Sequence, residues 1–138
     1  MKRSKIASAK RNKFCPCHSK KKYKDCCEPY HKGSNPPTAE KLMRSRYAAY
    51  ALGLVDYVID TTDPAGSKYK KVRATWTQEL ETFCQTTQFL DLEIMSAAES
   101  MVTFRVNLVQ NGKPSPYIER SIFTRPNGRW LYFDGMMV

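Results

Sequence analysis

What this chain of 138 residues lacks closes off several classes of function. No stretch approaches the roughly eighteen consecutive apolar residues that a membrane-spanning helix requires. Met1 to Lys13 lack the apolar centre of a secretory signal, so a cytoplasmic location is expected. There is no glycine-rich nucleotide loop and no internal repeat. Acidic residues are scarce at the start: residues 1–33 hold two of them against eleven Lys and Arg, for +9, whereas residues 34–138 hold eleven against twelve, for +1. The net charge of +10 therefore belongs almost wholly to the first quarter of the chain. At this length one modest core with an appendage is expected.

Cysteine is not scarce, and it is concentrated. Four of the five cysteines fall in Cys15-Pro16-Cys17-His18-Ser19-Lys20-Lys21-Lys22-Tyr23-Lys24-Asp25-Cys26-Cys27. Two close pairs joined by a short polar loop suit a tetrahedral thiolate site, with each pair giving two sulfurs to one ion at roughly 2.3 Å. The loop closes at small entropic cost. Lys13, Lys20, Lys21, Lys22 and Lys24 surround the pairs with positive charge, which favours thiolates. A disulfide framework fits less well, because adjacent Cys26 and Cys27 do not readily bridge and no secretory segment points to an oxidising compartment. A redox pair fits less well too, since the Cys-x-x-Cys spacing is absent. Cys84 stands alone and reads as a small buried hydrophobe.

The run resembles the SEC-C motif, the metal-binding module at the C-terminus of the SecA translocation ATPase and in many small bacterial proteins. By that resemblance Cys15, Cys17, Cys26 and Cys27 are the ligands, of zinc or of iron. His18 and Lys20 stand where the family usually has glycine, at turn positions that often want positive φ. The likeness continues through Glu28-Pro29-Tyr30-His31-Lys32-Gly33, Pro37 to Gly53, Asp56-Tyr57, Thr61, and Gly128-Arg129-Trp130 to Asp134-Gly135. These stretches look like the YchJ family. That resemblance implies an N-terminal SEC-C knuckle on a domain of the nuclear-transport-factor-2-like fold, a cone of three N-terminal helices on a curved antiparallel sheet. The expected division is a basic tail at 1–14, the knuckle at 15–33 and the cone domain at 34–138.

The residue pattern leads to the same α+β class by its own route. Gly33-Ser34-Asn35-Pro36-Pro37 is a linker. Thr38 caps a helix with Glu40 in its first turn. Ala39, Met43, Tyr47, Tyr50 and Leu54 then recur at three- and four-residue steps, up to the stop at Gly53. A short helix is expected over 54–60. Ser67 is read as the start of a third, with Tyr69, Val72, Trp76, Leu80 and Phe83 as its apolar stripe. Period two follows: Leu90, Leu92 and Ile94 on one face, then Val102, Phe104, Val106 and Leu108. Asn111-Gly112 marks a hairpin, and strands are expected over 117–125 and 129–133. Helices first and a meander afterwards argue helices packed on one face of the sheet.

No catalytic residue is assigned. Arg46, Asp56, Tyr57 and Asp134 are the polar candidates for a cone cavity, and a structural role as ties or filling outweighs catalysis for them. His18 and His31 sit beside the knuckle as turn or supporting residues. The favoured function is an adaptor that docks through Lys20, Lys21, Lys22 and Lys24 onto a protein or ribonucleoprotein, since the comparable module of SecA contacts a chaperone and the ribosome. The alternatives are a small-ligand carrier or enzyme using the cone, and direct nucleic-acid binding, which would be steeply salt-dependent.

Overall fold

The structure is a computed structural model and describes residues 13–138; the basic tail expected at 1–14 lies almost wholly outside the described residues. After a short 3-10 turn at Tyr23–Asp25, the helices are α1 (Glu28–His31), α2 (Ala39–Leu52), α3 (Val55–Asp60) and α4 (Arg73–Gln85). The strands are β1 (Thr87–Ala97), β2 (Met101–Gln110), β3 (Lys113–Pro114), β4 (Tyr117–Thr124) and β5 (Leu131–Met137). The sheet runs β1-β2-β4-β5, every pair antiparallel, with β3 a stub paired to β2.

Helix α2 is delimited by its ends. Thr38 Oγ1 accepts from the Lys41 amide at 3.1 Å, which satisfies one of the donors left open in the first turn. Gly53 adopts φ 74°, and the amides of Gly53 and Leu54 return to the carbonyls of Tyr50 and Ala49 at 3.2 and 2.8 Å. That is the closing motif a left-handed glycine permits. The helix is buried on more than one side: Leu42, Met43, Ser45, Arg46, Tyr47, Ala48 and Ala49 are all nearly inaccessible. One side meets the sheet and the other meets the knuckle.

Helix α4 begins later than its stripe suggests. Residues 63–72 form a stitched loop instead: Asp63 accepts from the Ala65 amide at 2.9 Å and from Thr124 Oγ1 at 2.6 Å, and the Asp63 amide donates to the Tyr132 carbonyl at 2.8 Å. Gly66 lies against the Phe133 carbonyl, where a Cβ would collide. Val72 is therefore exposed and precedes the helix, while Tyr69 still reaches Trp76 edge-on at 5.2 Å. Arg73, the first helical residue, ties back to Asp56 at 3.2 Å and Asp60 at 3.0 Å.

Strand parity is broken by bulges. The β1–β2 register shifts between Phe89 and Asp91 and again between Ile94 and Ser96. Leu90 and Met95 are the extra residues and point to solvent, so Phe89, not Leu90, shares the inner face with Leu92. A third shift, at Ile122 and Phe123, bends the β4–β5 pair. Bulges raise local twist and curl a sheet, which closes the cone over α2 and α4. The β2–β3 turn has Asn111 and Gly112 at φ 51° and 80°, the primed turn that their pairing predicts. The last strand runs later than expected, over Leu131–Met137.

Candidate metal centre

The ligand loop is built as a miniature hairpin. Phe14 and Lys22 form an antiparallel bridge, with the Cys15 amide donating to Lys21 O at 2.7 Å and the Tyr23 amide to Lys13 O at 2.8 Å. To turn between them, His18 and Lys20 adopt φ 62° and 69°, the left-handed region expected at those two positions. The Lys21 amide bonds Ser19 Oγ at 3.2 Å. The 3-10 turn then carries Cys26 and Cys27 back under the first pair, and Tyr23 O accepts from the Cys26 amide at 3.0 Å.

The four sulfurs of Cys15, Cys17, Cys26 and Cys27 lie within 4.8 Å of one another. Cys17 to Cys26 is 3.6 Å and Cys26 to Cys27 is 3.9 Å. All four cysteines are free. A tetrahedron with metal–sulfur bonds of roughly 2.3 Å has sulfurs about 3.8 Å apart, so the donor set fits an ion of that size. Hydrogen bonding to the Cys15 thiol drives Cys17 far below the ordinary thiol range and takes Cys26 down to about 6. Cys15 is held up chiefly by its hydrogen bond with Cys17, and Cys27 by its hydrogen bond with Cys15, so both keep their protons. A divalent ion held by all four would displace those protons. Ser19 Oγ lies 3.1 Å from Cys26 Sγ, and Arg44 from α2 donates to Cys17 O at 3.0 Å, with its Nη1 4.0 Å from the Cys17 sulfur.

Beneath the sulfurs a polar chain enters the fold. His31 Nε2 meets Ser45 O at 2.8 Å, and a carbonyl only accepts, so Nε2 carries the proton. In the neutral ring Nδ1 then accepts from the buried Tyr23 hydroxyl at 2.6 Å. Ser45 Oγ bonds the Tyr57 hydroxyl at 2.7 Å, and burial pushes that phenol up to about 12. His18 lies edge-on to Tyr47 at 5.7 Å. Both histidines thus support the knuckle and neither faces the cone. Lys20, Lys21, Lys22 and Lys24 are all exposed on the turn. Cys84 lies apart on α4, half-buried, its thiol pushed up to about 11 by burial.

Of the four polar residues expected at the cone, only Arg46 lines it. Asp56 pairs with Arg73 on the outside, Tyr57 faces His31, and Asp134 accepts from Ser67 Oγ at 2.9 Å and the Gly135 amide at 2.8 Å. These two bonds, the amide first, hold the Asp134 carboxyl below its usual range. The cone's own acid is Glu119. Its signal was present in the sequence, since period two through 117–123 puts it on one face with Tyr117, Ser121 and Phe123.

With that geometry in hand, the class is clear: a small α+β cone of the NTF2-like type carrying a SEC-C cysteine motif. Residues 38–135 match the family described as YchJ, middle NTF2-like domain, and residues 11–29 match the SEC-C motif. The chain belongs to the YchJ family. It is 38% identical over 128 residues to a UPF0225 protein of Actinobacillus succinogenes, covering 88% of this chain and 80% of the relative. A UPF0225 protein of Haemophilus influenzae is 35% identical over 137 residues, covering 95% and 82%. The solution structure of a SEC-C motif containing protein from Rhodopseudomonas palustris superposes with TM-score 0.74 at 34% identity, covering 90% of this chain and 98% of that one. A crystal structure of a SEC-C motif containing protein from Psychrobacter arcticus shares the fold with TM-score 0.71 at 22% identity, covering 94% and 85%. No helix among the described residues is long and apolar enough to cross a membrane.

Proposed function

We propose that the chain is a metal-braced adaptor of the cytoplasm. Zinc, held by Cys15, Cys17, Cys26 and Cys27, fixes the turn that presents Lys20, Lys21, Lys22 and Lys24 to an acidic protein or ribonucleoprotein surface. Closed tetrahedral sulfur sites suit zinc, and iron accepts the same geometry. The observation that carries the reading is the convergence of four sulfurs directly under a lysine turn whose backbone is hydrogen-bonded to the ligand loop. None of the four lysines is in an ion pair among the described residues, so their charge faces outward unspent. Cations fixed on a rigid turn bind with less ordering entropy than a floppy tail, and they steer association. Phe14, exposed on the same hairpin, offers an apolar anchor beside them.

The test is affinity capture from the native cell with the wild-type protein and with a Lys21→Glu, Lys22→Glu, Lys24→Glu variant, each with and without nuclease. The reading expects specific macromolecules that the triple variant loses at unchanged metal content and unfolding midpoint. A variant that keeps every partner would contradict it. Loss after nuclease alone would point to the nucleic-acid alternative.

A further inference from the structure

The cone holds a half-open cavity of about 260 Å³ that the metal centre does not use. Its walls are aromatic: Tyr50, Phe83 and Phe89 meet one another at 5.6, 6.0 and 6.5 Å between ring centres. One side of it is polar, and there three features converge.

The first is Glu119. Its Oε2 accepts from Ser121 Oγ at 2.7 Å and from the Tyr132 hydroxyl at 3.0 Å. Gly135 makes room for that seat, because a Cβ there would collide with both the carboxylate and the Tyr132 hydroxyl. The carboxylate is thus held by one oxygen, while Oε1 accepts no hydrogen bond among the described residues. The second is Tyr117, two residues earlier on the same face of β4, whose hydroxyl likewise has no partner there; burial pushes that phenol up, so it stays a neutral donor and acceptor. The third is buried Arg46. Its Nη1 donates to Val58 O, Thr61 Oγ1 and Thr62 Oγ1 at 2.9, 2.7 and 3.2 Å, and its guanidinium lies 4.6 Å from the centre of the Tyr132 ring. No ion pair joins it to Glu119. One fixed cation and one fixed anion therefore border the same cavity without neutralising each other by contact. A cationic ligand would be drawn to Glu119 and opposed by Arg46, and an anionic one the reverse.

We propose that the cone binds a small uncharged ring compound bearing a hydroxyl group, with the ring among the aromatic walls and the hydroxyl donating to Glu119 Oε1 beside Tyr117. A dry cavity of about 150 Å³ accommodates benzene, so this one suits a fused two-ring compound of about ten heavy atoms. The inference is independent of the docking role of the knuckle.

Isothermal titration calorimetry of the full, metal-loaded chain with 2-naphthol, naphthalene, 2-naphthylmethylamine and 2-naphthoate tests it. The proposal expects 2-naphthol to bind tightest, about tenfold or more over naphthalene, as a hydrogen bond to a charged acceptor implies. Glu119→Met should abolish that preference and leave naphthalene within twofold. Tyr117→Phe, which keeps the ring, should weaken 2-naphthol alone by severalfold and serves if the first variant fails to fold. No binding of any probe at millimolar concentration would overturn the proposal, as would equal affinity for naphthol and naphthalene, or a preference that survives both substitutions. Tighter binding of the amine or the carboxylate would overturn the uncharged class.

Discussion

At the scale of single residues, the joint between knuckle and fold rests on Tyr23. It is 1% exposed, and its hydroxyl is the donor that satisfies His31 Nδ1. Tyr23→Phe keeps the ring and removes this hydrogen bond to His31 from a buried site. We expect a loss of about 1 kcal/mol in denaturant unfolding at unchanged metal content, the usual net worth of a hydrogen bond. A variant as stable as the wild type would remove this joint from the account. Much at this scale could be read in advance. The positive φ at His18 and Lys20 followed from their standing at glycine positions of the motif. Glu119 did not emerge, because a lone acid in a strand reads as solvent-facing until its parity with Tyr117 and Phe123 is counted.

Among the elements, α2 is the shared wall of both parts. Its caps and stripe were visible in the sequence, since Thr38 and Gly53 are local signals. Its second buried side was not, because the knuckle that covers it comes from residues with little apolar patterning of their own. Helix α4 starts later than its apolar period implies for a tertiary reason: Asp63, Gly66 and the β5 backbone capture the preceding loop, which no helical period records. The bulges at Leu90 and Met95 are equally invisible to strict alternation. A chain beginning at Ser34 would keep the cone and its helices but expose Ser45 and Tyr57 where His31 of the knuckle sat. It should still melt cooperatively, several degrees or more below the full chain, as followed by circular dichroism. Aggregation or a featureless melt would make residues 15–33 an integral part of the core.

At the scale of the whole molecule, charge and apolar volume are segregated. The basic excess sits in the first 33 residues and the near-neutral remainder forms the cone. That partition was legible from composition, whereas the cavity was expected only through the family resemblance and its lining was not legible, because the lining depends on sheet curvature. The knuckle is too small to hold itself together by burial, so metal ligation and its seat on α2 must supply its order. The most direct measurement is therefore the metal content of the purified full chain beside its Cys26→Ser, Cys27→Ser variant, by inductively coupled plasma mass spectrometry. One tightly bound ion is expected per wild-type chain and almost none in the double variant, with the amides of residues 13–31 losing hydrogen-exchange protection. Full occupancy in the double variant would contradict the four-cysteine site.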